Sequence, residues 1–209
     1  MRLSALFSLL VSGVAMPAVA ALEEGDHAPE FTTQASFAGK AFSYSLRKAL
    51  DSGTVVVYFY PAAYTGGCNV QAHAFAVNAE EFAQAGASIV GVSLDNIQRL
   101  NDFSADPNYC AGKFPTASDA DGAIAKSYGL SINRAPHGVT DSRGLDIGHD
   151  FTESTTFIVT PDGRVSAVIG GAAPEKNVEL ALQTARQIHR DSAVSGGGLE
   201  MDKAPRARE

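Results

Sequence analysis

Apolar and polar positions along this chain switch between two periods, and the switches mark its elements. Residues 54–60, TVVVYFY, form an unbroken β-branched and aromatic run, as a strand buried on both faces requires. From Thr65 to about Ala85 the period is helical: Ala72, Phe75, Ala76, Ala79, Phe82 and Ala83 fall on one stripe, and Gly86 offers a left-handed stop. ASIVGVSLD, at 87–95, reads as a second buried strand, and NIQRLNDFSADP after it as a short helix ending near Pro107. KFPTASD predicts a short strand and ADGAIAKSYG a helix stopped by Gly129. STTFIVTPDGRVSAVIGG predicts two strands joined by a Pro-Asp-Gly turn. PEKNVELALQTARQIHRD then opens with proline in its first turn and carries Val178, Leu180, Leu182 and Ile188 as a closing amphipathic helix.

Strands alternating with helices, then a hairpin, then a helix, describe an α/β sandwich. The first strands should be parallel with right-handed crossovers, and the hairpin antiparallel at one side. That order is the thioredoxin-like arrangement, a central mixed β-sheet flanked by helices. In such sheets sites are built at the carboxyl ends of central strands, and the turn after residues 54–60 is such a place.

The ends of the chain read differently. MRLSALFSLLVSGVAMPAVAAL begins with a basic Arg2, continues apolar from about Leu3 to Met16, and presents Ala18-Val19-Ala20 before Ala21. These are the parts of a secretory signal over residues 1–20. The apolar stretch is shorter than the ~18 residues of a spanning helix, and no cysteine follows the cleavage point to take a lipid. A periplasmic or secreted protein is expected, free of the membrane once the signal is removed, in a compartment that permits disulfides. The formal net charge is −7, and loss of the signal removes an arginine and no acid; with no basic patch, nucleic acid is not an expected partner. Residues 21–191 fit one domain with a proper core. SAVSGGGLEMDKAPRARE, residues 192–209, has three glycines, mixed charges and almost no apolar period, and reads as a disordered tail.

The candidate chemistry sits in PAAYTGGCNVQAHAF, residues 61–75, which holds one of the two cysteines. Cys68 can be a buried small hydrophobe, half of a disulfide, or a nucleophile on a helix N-terminus. A free thiol with a pKa near 8.5 is only ~3% thiolate at pH 7. A helix N-terminus contributes ~0.3–1 kcal/mol, and at most ~2, toward ionising it. Full ionisation asks for roughly 4 kcal/mol, so a cation or further hydrogen bonds must supply the rest. Thr65 would share a helical face with Cys68, where its hydroxyl can donate to the thiolate or a ligand oxygen, or merely cap the helix. Gly66 and Gly67 would let a ligand reach backbone N–H groups. Pro61 can wall the pocket from water, or simply end the strand.

Taken together, Pro61-x-x-x-Thr65-x-x-Cys68 after VVVYFYP resembles the active-site signature of the peroxiredoxins. GDHAPEF at 25–31 is similar to the family's opening segment, and GVSLD, KFPTASDADGAIAKSYG and TTFIVTPDGRV to its later landmarks in the same order. Among the subgroups the chain looks most like the bacterioferritin comigratory protein branch. The resemblance implies a thiol-dependent peroxidase that needs no cofactor or metal. In it Cys68 attacks a peroxide oxygen, Thr65 and the Gly67 and Cys68 amides contact the peroxide, and Pro61 shields the sulfenic acid. A thioredoxin-like protein or a small thiol would be the reductant, and the assembly a monomer or homodimer. The family also implies a resolving cysteine. In many relatives it lies five residues after the first, where this chain has His73; others place it in the region of Cys110, which implies a Cys68–Cys110 disulfide. Cys110 can equally be half of a permanent staple, worth about 4 kcal/mol in loop entropy.

Two departures from the family pattern bear on activity. Relatives commonly have an acid where Gln71 stands, and the family's active-site arginine position, counted back from Phe157, falls on Ser154. Arg134, Arg143 or His149, in the long segment from Ile132 to Phe151, could fold over the pocket instead. That segment is long enough for a lid or a dimer contact. A dithiol exchanger would need a Cys-x-x-Cys pair, and a glutathione-peroxidase-like site a tryptophan, and the chain has neither. The five histidines show no paired metal-ligand spacing. The alternative from another class is a peroxiredoxin-like binding or holdase module, weakened by the lost arginine and held by a structural disulfide.

Overall fold

The computed structural model describes residues 21–197, so the expected export signal over 1–20 lies outside the described residues. In chain order the elements are β1 (Thr32–Phe37), β2 (Lys40–Ser45), α1 (Leu46–Leu50), β3 (Thr54–Phe59), α2 (Gly66–Val77), α3 (Ala79–Gln84) and β4 (Ala87–Ser93). They continue with α4 (Ile97–Ala105), β5 (Thr116–Ser118), α5 (Ala123–Ser127), β6 (Ile132–Asn133), β7 (Phe151–Thr152), β8 (Thr155–Val159), β9 (Val165–Gly170) and α6 (Pro174–Gly197). A seven-stranded sheet runs in the order β2-β1-β5-β4-β3-β8-β9, with β6 and β7 paired apart from it. β3, β4 and β5 are mutually parallel, and β8 is antiparallel to both β3 and β9. This is the expected thioredoxin-like fold with a mixed central sheet.

β3 shows why its sequence carries no polar period. Val56 and Tyr58 point into one core with Phe75, Phe82, Leu100, Phe103 and Leu182 from α2, α3, α4 and α6. Val55, Val57 and Phe59 point into the other, with Leu46 of α1 and Tyr128 after α5. A strand with apolar layers on both faces loses the polar alternation, as β3 does from Val55 to Phe59. The wide Tyr58 ring is accommodated by its register partner Gly91 on β4, where an added Cβ would lie 2.7 Å from the phenol oxygen.

The helix expected from Thr65 to Ala85 is broken at Asn78. The Asn78 side-chain amide donates to Ala74 O (2.8 Å), competing with the backbone for that acceptor. α3 restarts with Asn78 O accepting from Phe82 N. Phe75 and Phe82 still meet, with ring centroids 5.6 Å apart, because both halves rest on the same sheet face. Gly86 closes the unit at φ +65°, as the sequence pattern predicts.

Residues 32–50, which carry no clear apolar period, form the β1–β2 hairpin and α1. β2 is a sheet edge with only Tyr44 buried, so it has little reason to show one. At the other end α6 continues past Ser192 to Gly197, so the segment expected to be a disordered tail begins as helix. Its remainder lies outside the described residues.

Candidate active site

β3 ends at Phe59, and the chain crosses from Pro61 to Thr65 before α2 begins at Gly66. Thr65 is the N-cap residue, extended at φ −110° and ψ 152°, but its hydroxyl makes no cap bond and donates to Ala62 O at 2.8 Å. The first α2 amide bonded to Thr65 O is that of Asn69 (2.8 Å). The N–H groups of Gly66, Gly67 and Cys68 therefore have no intrahelical acceptor and point out of the helix start. Nothing would meet a Cβ on Gly66 within 4 Å, and one on Gly67 would meet only Pro174 at 3.6 Å. Local packing does not require these glycines; they keep the approach to the amides open.

Pro61, Thr65, Gly66, Gly67, Cys68, Gln71, Ser154, Ala172 and Pro174 line a cleft of ≈ 280 Å³. Each of the sequence candidates Pro61, Thr65, Gly67 and Cys68 is thus in one place, and Ser154 is there with them. The lining includes no charged side chain. Cys68 is buried, and burial pushes its thiol up. The polar groups around it, the backbone at Ala62, the Thr65 hydroxyl and its own backbone, pull it back, while the Asp95 carboxylate adds to the rise. Thr65 has a single hydroxyl proton, directed at Ala62 O in this geometry. It can turn to sulfur or to a ligand oxygen without moving the backbone.

Gln71, standing where an acid was expected from the resemblance, is buried in a chain of amides. Its Nε2 donates to Asn177 Oδ1 (3.0 Å), which also accepts from Thr156 Oγ1 (2.7 Å), while Asn177 Nδ2 donates to Ile169 O (3.0 Å). One network so ties α2 to β8, β9 and α6 beneath the cleft. A carboxylate could not donate to Asn177 as Gln71 does. Asn177 had no sequence signal beyond lying in the closing helix.

The long segment places its basic residues elsewhere. Arg134 and His149 line a separate cleft of ≈ 570 Å³. The Arg143 guanidinium lies 3.4 Å over the Tyr64 ring, and His149 Nε2 is 2.8 Å from Asp95 Oδ1. None of the three lines the Cys68 cleft, so the idea that one of them replaces the missing arginine there is corrected by this geometry. Arg143 and His149 join a buried charge network absent from the sequence reading, through Asp141 and Asp95 respectively. Asp95 accepts from Ala63 N (2.7 Å) and Ser93 Oγ (2.7 Å) and pairs with Arg99 (3.1 Å), and Arg99 pairs with Asp141 (2.6 Å).

Cys110 is fully buried in the same apolar cluster as Cys68, on the turn after α4. Burial drives its thiol well up, with a further push from Asp106. His73 lies on the exposed side of α2 with Nδ1 3.1 Å from Asn108 O, against the turn that carries Cys110.

Known proteins resemble this chain in sequence and fold. The chain is 34% identical over 140 residues to a putative peroxiredoxin of Mycobacterium tuberculosis, covering 66% of this chain and 82% of that one. The crystal structure of peroxidoxin BcpB from Mycobacterium tuberculosis superposes with a TM-score of 0.65 at 30% identity, covering 80% of this chain and 98% of the other. A structure of the Xanthomonas campestris bacterioferritin comigratory protein, studied for alkyl peroxide reduction, gives 0.59 at 25% identity, covering 75% and 91%. Residues 24–168 match the model of the AhpC/TSA family, and with the thiol turn, the sheet order and these relatives in agreement, the chain belongs to that family.

Proposed function

We propose that this thiol peroxidase reduces hydrogen peroxide or small organic hydroperoxides through Cys68 and resolves the product with Cys110. The observation that carries the reading is the neutral cleft in which the Cys68 thiol, the Thr65 hydroxyl and the outward N–H groups of the first α2 turn converge. The Cys68 thiolate attacks one peroxide oxygen. The O–O bond breaks, sulfur is oxidised to sulfenic acid, and the departing oxygen leaves as water or alcohol after taking a proton. Developing charge on the two oxygens meets the Gly67 and Cys68 amides, held in place before the reaction, and the Thr65 hydroxyl once it turns from Ala62 O. Pro61, which has no N–H to offer, closes one side of the cleft. The Cys110 thiol then displaces hydroxide from Cys68 sulfur, giving a disulfide and water, and an external dithiol or small thiol restores both cysteines.

The N-terminal pattern supports action in the periplasm or outside the cell; the family resemblance, not this pattern, is the ground for expecting a monomer or homodimer. Ser154 favours a second reading, a module of weakened activity that binds other proteins, because the cleft lining lacks a cation to ionise the buried thiol. Stopped-flow mixing of the reduced protein with hydrogen peroxide, beside C68S and C110S, separates them. The peroxidase reading expects fast oxidation that C68S abolishes, ending in an intramolecular disulfide that C110S prevents. Oxidation no faster than that of a free cysteine would leave the binding module.

A further inference from the structure

The segment between β6 and β7 contributes nothing to the peroxide cleft, yet it grips the loop that carries the thiol. Ser142 N–H donates to Tyr64 O at 2.9 Å. The neighbouring Arg143 stacks its guanidinium 3.4 Å over the Tyr64 ring and is held there by Asp141, through Nη2 at 2.8 Å and Nε at 3.0 Å. Burial works against the Asp141 carboxylate, but the bonds from Arg143 and the Leu145 amide outweigh it and keep it below the usual carboxylate range. Tyr64 has φ +63°, a left-handed conformation unfavourable for a residue with a bulky side chain. It is kept there by what surrounds it.

Tyr64 also touches the second cysteine's segment. Its ring meets Tyr109 edge-on at 5.5 Å and Phe103 at 5.0 Å, and Tyr109 directly precedes Cys110. One aromatic side chain is thus packed between the Cys68 loop, the Cys110 turn and the Arg143 strap. Both thiols are free and buried here. A disulfide requires sulfurs about 2.05 Å apart, whereas the two thiols are unbonded here, so closure has to move the Cys68 loop and the Cys110 turn relative to each other, and Tyr64 packs against both.

We propose that Arg143 is a positioning residue which, by clamping Tyr64, governs how fast Cys110 resolves the Cys68 sulfenic acid. The inference rests on the reading of Cys110 as the resolving thiol. The governed step is balanced: Cys110 sulfur attacks Cys68 sulfur, the S–O bond breaks, and hydroxide leaves with the thiol proton as water. A cation over an aromatic face, partly shielded from water, shifts such an equilibrium by roughly threefold to thirtyfold. Removing it should speed resolution by that factor while leaving the peroxide step within about twofold, since the packed arrangement of the thiol loop still predominates before oxidation even without the arginine.

The test follows both steps by rapid quench, thiol alkylation and intact mass in the wild type, R143Q, Y64L and Y64F, with melting temperatures alongside. R143Q and Y64L remove the stack from opposite sides, so either suffices if the other fails to fold, and Y64F keeps the ring. Faster disulfide formation in R143Q and Y64L, with wild-type behaviour in Y64F, supports the clamp. Unchanged or slower disulfide formation in the ring-deleted and arginine-deleted proteins overturns it. Parallel slowing of both steps with a falling melting temperature also overturns it, because Arg143 then serves only the fold. If the wild type accumulates sulfenic or sulfinic acid and never the Cys68–Cys110 disulfide, it is the role of Cys110 that fails, and the clamp falls with it.

Discussion

Ser154→Arg tests whether the cleft is short of a cation. Ser154 lines the same neutral cleft as Cys68, whose thiol burial has pushed up. A guanidinium about 5 Å from the sulfur, at an effective dielectric near 20, would favour the thiolate by about 3 kcal/mol. The cleft opens to solvent and screens the pair, so about half of that is a fair expectation, roughly a tenfold rise in thiolate at a pH below the thiol's midpoint. The assay is the pH dependence of the second-order rate of Cys68 oxidation by hydrogen peroxide, in a C110S background so that the first step stands alone. Alkylation of the same protein reports the thiolate independently of peroxide. Both midpoints should move to lower pH in S154R, and the oxidation rate at neutral pH should rise about tenfold. High salt should erase part of the gain. A folded S154R with neither midpoint moved would refute the reasoning, and would mean that the α2 amides and Thr65 already set the ionisation. A faster peroxide reaction with an unmoved alkylation midpoint would place the arginine's benefit on the departing oxygen instead.

Other consequences follow from the buried polar groups. Asn177→Ala strands the Gln71 amide, the Thr156 hydroxyl and the Ile169 carbonyl, at a cost of about 2–4 kcal/mol in urea unfolding; a loss below about 0.5 kcal/mol would show that the network relaxes freely. Tyr58→Phe removes a buried hydroxyl that has no hydrogen-bond partner among the described residues, so stability should stay level or rise by up to about 1 kcal/mol. A clear loss would reveal a water bound to that phenol. Burial pulls the His149 imidazole down, but its bonds to Asp95 and the Asp150 carbonyl outweigh this, and its pKa is raised. A histidine raised on folding stabilises fully below its unfolded value of about 6.5, and that contribution fades as pH climbs through the folded value. The melting difference between the wild type and H149Q should therefore be larger at pH 5.5 than at pH 8.5; a difference that grows toward alkaline pH would contradict the pairing with Asp95.

What could be read from the sequence was whatever short-range chemistry dictates. β3 had to be apolar from Val55 onward because both its faces are covered, and the Thr65–Gly66–Gly67–Cys68 turn carries its capping position and its open amides within four consecutive residues. The break at Asn78 was hidden because the apolar stripe from Ala72 to Ala83 continues through it on the same sheet face, as Phe75 and Phe82 show. The site's surroundings were illegible for the opposite reason. Asp95, Arg99, Asp141 and His149 are ordinary charged residues in the chain, and each becomes special only when the long segment folds back and the pairs close over 42 and 54 positions. Sequence spacing carries no record of such closures, and so the basic residues of the long segment, plausible from spacing as a replacement cation, lie away from the Cys68 cleft. Arg143 is close to the thiol loop, but its charge is spent on Asp141 and the face of Tyr64. An arginine used in this way cannot also ionise Cys68. On the proposed reading two tasks fall to different residues: the first α2 turn and Thr65 handle the peroxide, and the strap holds the loop.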